Sequence, residues 1–436
     1  MRDLMFAVMM LLAIPLAMAR PLNAYLLWGW TGVVVPTAYF YGFMTDARVN
    51  FLFAILTIML IVLGRVPIST YQVNRVSWLY LVFFAHATLS FAFAYPNNPY
   101  NAQYYEYLVK GLVFCLVMPL FIRERVHLHS VIIVIVLGLG LHGVLNGLKA
   151  IASGGQHNVG GPAGTMIADN NHLSTALVLC LPLLFYLYQY SRNFLIRWGF
   201  LGAFVLVALA VGGSGSRGGF IALSVVAFWL VLTSRRRWTG LIIFLLLAGL
   251  FLALAPADWF SRLETIKEAS TDQSFNSRLF TWNVSSAIAL TNPIFGGGFH
   301  AIQTQGVWDQ FKGATGLLAF LDMPVPAYRP KASHSIYFEI MGDLGFVGFA
   351  IFMTILFHAI YSRFVIKRQV KSLGPGWLWA RDMADMLMLA VIAYMAGGAA
   401  VSLGYFEAIY MVVMLMEMLR LHVARAHSAA TPGRKT

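Results

Sequence analysis

Apolar runs recur from one end of the chain to the other, separated by short polar or basic stretches. They fall at roughly 4–19, 22–43, 49–64, 77–95, 105–121, 128–148, 170–189, 194–211, 218–233, 239–255, 335–361, 380–400 and 404–420. At about 1.5 Å of rise per helical residue, most are long enough to cross, or nearly cross, a hydrocarbon core about 30 Å thick. Inside lipid every backbone amide must be satisfied within its own segment, so the pattern predicts an all-α, polytopic membrane helical bundle. Of these thirteen stretches, twelve are expected to be true crossings, with the first two broken at Pro15 and Pro21. The strict alternation of an outer-membrane barrel is not seen. Arg2, the run from Leu4 to Ile14 and Ala17-Met18-Ala19 have the form of a cleavable signal peptide. The segment is nevertheless expected to remain as a first span.

One long stretch, 256–334, interrupts the alternation, and a loop of that length is usually functional or disordered. Trp259, Phe260, Leu263 and Ile266 fall at helical spacing opposite Arg262, Glu264 and Lys267, predicting an amphipathic helix on the membrane surface over 257–270. A second helix is predicted over 277–290, ended by Asn292-Pro293, with Gly296-Gly297-Gly298 as a flexible turn after it. The expected organisation is a transmembrane bundle over 1–255, an outer segment over 256–334, further transmembrane helices over 335–421 and a tail over 422–436.

Composition agrees with a membrane protein: 59% of residues are hydrophobic and only 11% charged, against about 25% charged in soluble domains. The net charge of +13 would suit a nucleic-acid binder, but its distribution speaks for topology. Arg65 and Arg75, Arg123 and Arg125, Arg192 and Arg197, Arg235 to Arg237, the segment 362–379 and the C-terminus carry the basic residues, alternating with loops nearly free of them. The basic side is therefore expected to be cytoplasmic. The loops at 96–104, 149–169, 212–217 and 256–334 then face outward, and no nucleic-acid partner is expected. Cys115 and Cys180 lie in spans and are too few for a disulfide framework or a zinc site.

Three ionisable residues stand at the outer boundary, where charge is costly and so often functional. Arg217 lies in Gly212-Gly213-Ser214-Gly215-Ser216-Arg217-Gly218-Gly219, where bare amides, a helix N-terminus and a guanidinium would together make an anion site. A snorkelling arginine at a glycine-rich junction is the competing reading. Arg278, in Ser277-Arg278-Leu279-Phe280-Thr281-Trp282, breaks the shortage of basic residues outside, although an ordinary solvated arginine would do the same. His334 precedes Ser335-Ile336-Tyr337-Phe338-Glu339 where the chain re-enters the membrane. A helix N-terminus disfavours imidazolium, leaving a neutral ring that could act as a general base on a hydroxyl. The alternative is a packed polar side chain. His172, after Asp169-Asn170-Asn171, ranks second, and His86, His142 and His358 fall inside spans. No Asp-x-Asp or Glu-x-Asp pair, Walker A pattern, His-Glu-x-x-His or Gly-x-Ser-x-Gly occurs, so a bound diphosphate would rest on arginines in place of a metal ion.

These motifs, in this order, resemble the O-antigen ligase family, which takes in related O-antigen polymerases and protein O-oligosaccharide transferases. The resemblance rests on Ser214-Gly215-Ser216-Arg217-Gly218, Ser277-Arg278 with Trp282, and His334-Ser335 followed by Glu339, Gly342, Gly345 and Gly348. Gly164-Thr165 through Asn170-Asn171 to Pro182, and Asn292-Pro293-Ile294-Phe295-Gly296, fit as well, so that it covers roughly 160–350. At His334-Ser335 many members have His-Asn, and the opening Met1-Arg2-Asp3-Leu4 is similar to a ligase-like branch found beside exosortase systems.

The resemblance implies a metal-independent, inverting glycosyltransferase of the bacterial inner membrane, active at the periplasmic face and without a cofactor. It would move a preassembled glycan from undecaprenyl diphosphate to a sugar hydroxyl of the lipid A core. Arg217 and Arg278 would hold the diphosphate and His334 would activate the acceptor, with Ser216, Asn170, His172 and Glu339 in support. A polymerase or an exosortase-associated ligase would use the same grip on another acceptor. A transporter or flippase of an anionic lipid-linked glycan is the alternative from another class. It would carry charge near mid-membrane, where Lys110 and Glu407 come nearest and show no evident partner.

Overall fold

The structure is a computed structural model that describes residues 2–233, 249, 273–321 and 329–430. Among them there is no strand. Nine helices come first: α1 (Arg2–Ala19), α2 (Pro21–Val34), α3 (Val49–Val62), α4 (Arg75–Ala92), α5 (Asn101–Phe121), α6 (Arg125–Ala152), α7 (Asn170–Tyr190), α8 (Phe194–Gly213) and α9 (Arg217–Thr233). After the undescribed stretch come α10 (Gln273–Thr291), α11 (Gln305–Phe311), α12 (Ile336–Leu373), α13 (Leu378–Gly398) and α14 (Glu407–Ala430). The chain is an all-helical, multi-pass membrane protein. Among the described residues six helices (α1, α5, α6, α7, α8 and α12) are long and apolar enough to cross a bilayer, and α3 and α9 are shorter apolar helices. The expected span at 239–255 and the amphipathic helix at 257–270 lie outside the described residues.

Polar residues set the helix starts. Asn74 Oδ1 accepts the Ser77 amide at 2.8 Å to open α4, Asp169 Oδ1 takes that of Asn171 at 2.8 Å to open α7, and Asn193 Oδ1 takes that of Ile196 at 3.2 Å to open α8. Helix α7 is the hub, packed against α6, α8, α9 and α13 and buried along nearly its whole length. Helices α1 and α8 turn most of their apolar side chains outward, as lipid-facing helices do.

Among the described residues, several of the basic loops gather at one end. The Arg123 carbonyl accepts from His422 Nδ1 at 2.9 Å, Gln72 Nε2 donates to the Pro119 and Ile122 carbonyls at 3.0 Å, Tyr190 donates to Asp382 at 2.6 Å, and Arg363 pairs with Asp385 at 2.5 Å. At the opposite end lie the N-termini of α5, α7, α9, α12 and α14, together with the described residues around 292–303 and 333–335. The N-terminus reaches this second end too, where Asp3 Oδ1 accepts the Gly42 amide at 3.1 Å.

Helix α12 is broken at Gly345, whose φ of 69° and ψ of −175° leave the helical region. The groups freed by the break are met from elsewhere. Gly297 N–H donates to the Gly342 carbonyl at 2.9 Å and Gly298 N–H to that of Asp343 at 3.0 Å, while Phe346 N–H donates to Pro293 O at 2.8 Å. His86 Nε2 lies 2.9 Å from the Leu344 carbonyl, which accounts for a histidine inside α4. The Gly296-Gly297-Gly298 turn, read from sequence as flexible, is thus pinned on both sides. A Cβ on Gly298, at φ +86°, would stand 2.2 Å from Ala94 Cβ, so the glycine serves close approach here. Helix α10, the short turn 301–303 and α11 share a small core of Phe280, Val284, Ile288, Ile302, Trp308 and Phe311.

Candidate active site at the outer end

The Ser214–Arg217 turn is built by side chains folding back on the backbone. Gly215 takes a φ of +67°, Ser216 Oγ accepts the Gly219 amide at 3.1 Å, and Ser214 Oγ accepts the Ser216 amide at 3.1 Å. Ser216 therefore opens α9 and is itself buried, a structural part in addition to its place beside Arg217. Asn170 Nδ2 donates to the Ser214 carbonyl at 2.7 Å and Ser174 Oγ meets Ser214 Oγ at 2.8 Å, fixing the starts of α7 and α9 to one another. Gly218 faces the α13 end, where a Cβ would lie 3.0 Å from Ala400 Cβ. Arg217, first residue of α9, is half-buried at this junction.

His334 comes to the same place through the connection between α13 and α14. Its backbone, held in the left-handed region at φ +49°, donates N–H to Ser402 Oγ at 2.9 Å. The carbonyl of Ser402 lies 3.1 Å from His172 Nε2, and Asp169 Oδ1 lies 3.3 Å from His172 Nδ1. Asp169, with that histidine against it, is held below the ordinary carboxylate range. On the other side Trp282 Nε1 donates to the Ser333 carbonyl at 2.8 Å and stacks on Phe338 with centroids 5.1 Å apart. This joins α10, and with it Arg278, to the re-entry point. Burial pushes His334 down to about 4, and the Arg278 charge acts in the same direction. The ring is neutral near pH 7, as its helix-terminal position suggests.

Glu339 lies one turn further into α12, fully buried. Its Oε1 is 2.7 Å from His300 Nε2, and its Oε2 accepts the Gly404 amide at 2.7 Å. Asp343, one turn on, accepts from the Tyr405 hydroxyl at 2.8 Å, and Tyr104 stacks on the His300 ring at 3.5 Å between centroids. Burial lowers His300 to about 4. His300, Glu339 and Asp343 bring ligand-type atoms within 4.8 Å of one another. A divalent ion with ligand bonds near 2.1 Å would hold them about 3 Å apart or more. The 2.7 Å separation and the bonds to Gly404 and Tyr405 describe a hydrogen-bonded cluster instead.

The sequence-derived candidates Asn170, His172, Ser216, Arg217, Arg278, His334 and Glu339 thus belong to one neighbourhood, linked through Ser402 and Gly404. Sequence reasoning passed over Ser402, His300, Asp343 and Tyr405. Only Asp343 carried a legible signal, standing four residues after Glu339 so that two carboxylates share one helix face.

Residues 202–353 match the family model for O-antigen ligase, a range that takes in Arg217, Arg278 and His334. This part of the chain, about a third of it, is similar to the O-antigen ligase domain. Residues 1–192 match a second model, a family of unknown function. No curated protein matches the chain. The domain match supports a ligase-type, glycosyltransferase-like role in polysaccharide assembly.

Proposed function

We propose that the protein transfers a preassembled glycan from undecaprenyl diphosphate to a sugar hydroxyl of a lipid A core, at the periplasmic face of the bacterial inner membrane. The observation that carries this reading is the meeting of His334 with the Arg217-bearing start of α9 and with Arg278, through Ser402, Gly218 and Trp282. Arg217 and Arg278 hold the donor diphosphate by charge-assisted hydrogen bonds, and the N-terminus of α9 adds its amide dipoles. The neutral imidazole of His334 takes the acceptor hydroxyl proton as its oxygen attacks the anomeric carbon from the face opposite the phosphate. The bond from that carbon to the phosphate oxygen breaks with inversion, and undecaprenyl diphosphate leaves. Its growing negative charge is stabilised by the two arginines in place of a metal ion. His172, backed by Asp169, and Asn170 brace the site, while Glu339 anchors the loop that carries Ser402. The described helices of 1–233 and 335–421 supply the membrane bundle, and the described residues 273–321 and 329–334 adjoin the site.

The test is transfer by the purified protein, given undecaprenyl-diphosphate-linked glycan and rough lipopolysaccharide in the presence of EDTA, read as a gel shift of the lipid acceptor. Transfer by the native protein, lost in His334→Ala and Arg217→Ala and at least tenfold slower in Arg278→Ala, is the expected result. A folded native protein that shifts nothing, or a His334→Ala variant as active as wild type, would overturn the reading.

A further inference from the structure

A cavity of about 260 Å³ opens at the outer end between α2, the start of α3, α5 and α14. Its floor is apolar, made by Trp28, Val33, Phe114 and Met411, and its rim is charged, with Arg48, Lys110 and Glu407. Lys110 is held at 2.5 Å by Glu106 on the same helix, a partner the sequence did not make evident. The other two have no ion-pair partner among the described residues. Arg48 makes no ion pair or side-chain hydrogen bond among the described residues, and the Glu407 carboxylate is met there only by its own backbone amide. Arg48 and Glu407 line one cavity and do not bridge to each other.

A ligand that answers both charges carries an anion and a cation close together, and a ligand that fills the floor carries an apolar chain. We propose that this cavity binds a lipid whose headgroup joins a phosphate to a primary ammonium, the headgroup chemistry of phosphatidylethanolamine. The phosphate sits at Arg48, beside Lys110, and the ammonium donates to Glu407. The first part of the acyl chain lies along Trp28, Phe114 and Met411. A primary ammonium offers three donors on a compact charge, which a half-buried carboxylate accepts at short range, whereas a quaternary choline offers none. The cavity is separate from the His334 neighbourhood, although the chain segments lining it, 164–167 and 406–407, run directly into Asp169 and Ser402.

The test is native mass spectrometry of the full-length protein in detergent, with phosphatidylethanolamine, phosphatidylglycerol or phosphatidylcholine added separately. Wild type should retain phosphatidylethanolamine at least fivefold more than either other lipid. Arg48→Ala, at an exposed position, should reduce its retention at least fivefold, and Glu407→Gln should remove the preference over phosphatidylglycerol. Gly32→Leu, which puts bulk into the cavity wall, should lower retention of all three. Equal retention of the three lipids by wild type, a preference for phosphatidylglycerol, or retention unchanged in both Arg48→Ala and Gly32→Leu would overturn the proposal. Binding is read without turnover, so the result is independent of the transferase reading.

Discussion

Replacing Glu339 is the most informative perturbation of the outer end. The side chain is fully buried and each of its oxygens has one partner, His300 Nε2 and the Gly404 amide, both at 2.7 Å. Glu339→Ala leaves two donors buried without acceptors, at about 1–3 kcal/mol each, so the expected loss of stability is about 2–6 kcal/mol. Glu339→Gln keeps the shape and one acceptor oxygen. Its amide can still take the Gly404 N–H while donating to His300 in the other tautomer, with the Gln303 amide turned to present its oxygen to Nδ1, so it should cost less than Ala. The assay is fluorescence-monitored unfolding in detergent, together with exchange of the Gly404 amide. That exchange should be at least tenfold faster in Glu339→Ala, equivalent to about 1.4 kcal/mol. Both variants should keep the bundle, since the contacts of α7 are untouched. An Ala variant within about 0.5 kcal/mol of wild type, or a Gln variant as damaging as Ala, would refute the reasoning.

Protonation of the two outer histidines should contribute a loss of stability on the acid side, read as the difference between wild type and the histidine variants. His300 and His334 are both held near 4 in the folded chain against an ordinary value of 6.5, so the unfolded chain takes up protons first. Their contribution is complete above about pH 6.5 and is lost as pH falls toward 4, by at most about 3 kcal/mol for His300 and less for the partly exposed His334; melting curves from pH 7.5 to 4 should be flatter for His300→Gln. At the break in α12, Gly345→Ala would put a Cβ 2.6 Å from Pro293 O at a φ of +69°, and a loss of at least about 2 kcal/mol is expected, read as a lower melting temperature in detergent.

The helices were largely legible because hydropathy acts over whole segments. The stretch read as 170–189 is α7 at 170–190, and 194–211 is α8 at 194–213. The helix read at 277–290 begins four residues earlier, at Gln273, where polar residues hid its start, and Asn292-Pro293 does mark its end. The run at 22–43 was too generous, because α2 stops at Val34 in a left-handed Val35, a backbone feature that apolar side chains do not announce. Arg217, Arg278 and His334 stood out as ionisable groups beside apolar runs. Ser402 and His300 did not, because their parts depend on partners 68 and 39 positions away, His334 and Glu339. Nothing in a serine or in a histidine after three glycines points to a particular distant neighbour. The basic loops were the reverse case, since charge sorting is read one loop at a time.

The break in α12 carries a consequence for biogenesis. Three carbonyls and one amide at 342–346 find their partners in His86, Pro293, Gly297 and Gly298, all earlier in the chain. Until the 293–298 stretch has folded back onto α12, those four groups would be bare next to hydrocarbon, at several kcal/mol apiece. The lower-energy course is for α12 to enter the bilayer as an unbroken rod and to snap at Gly345 only when the returning loop docks. The order of events at the translocon is thus written into a helix that completes its backbone pairing with residues synthesised before it.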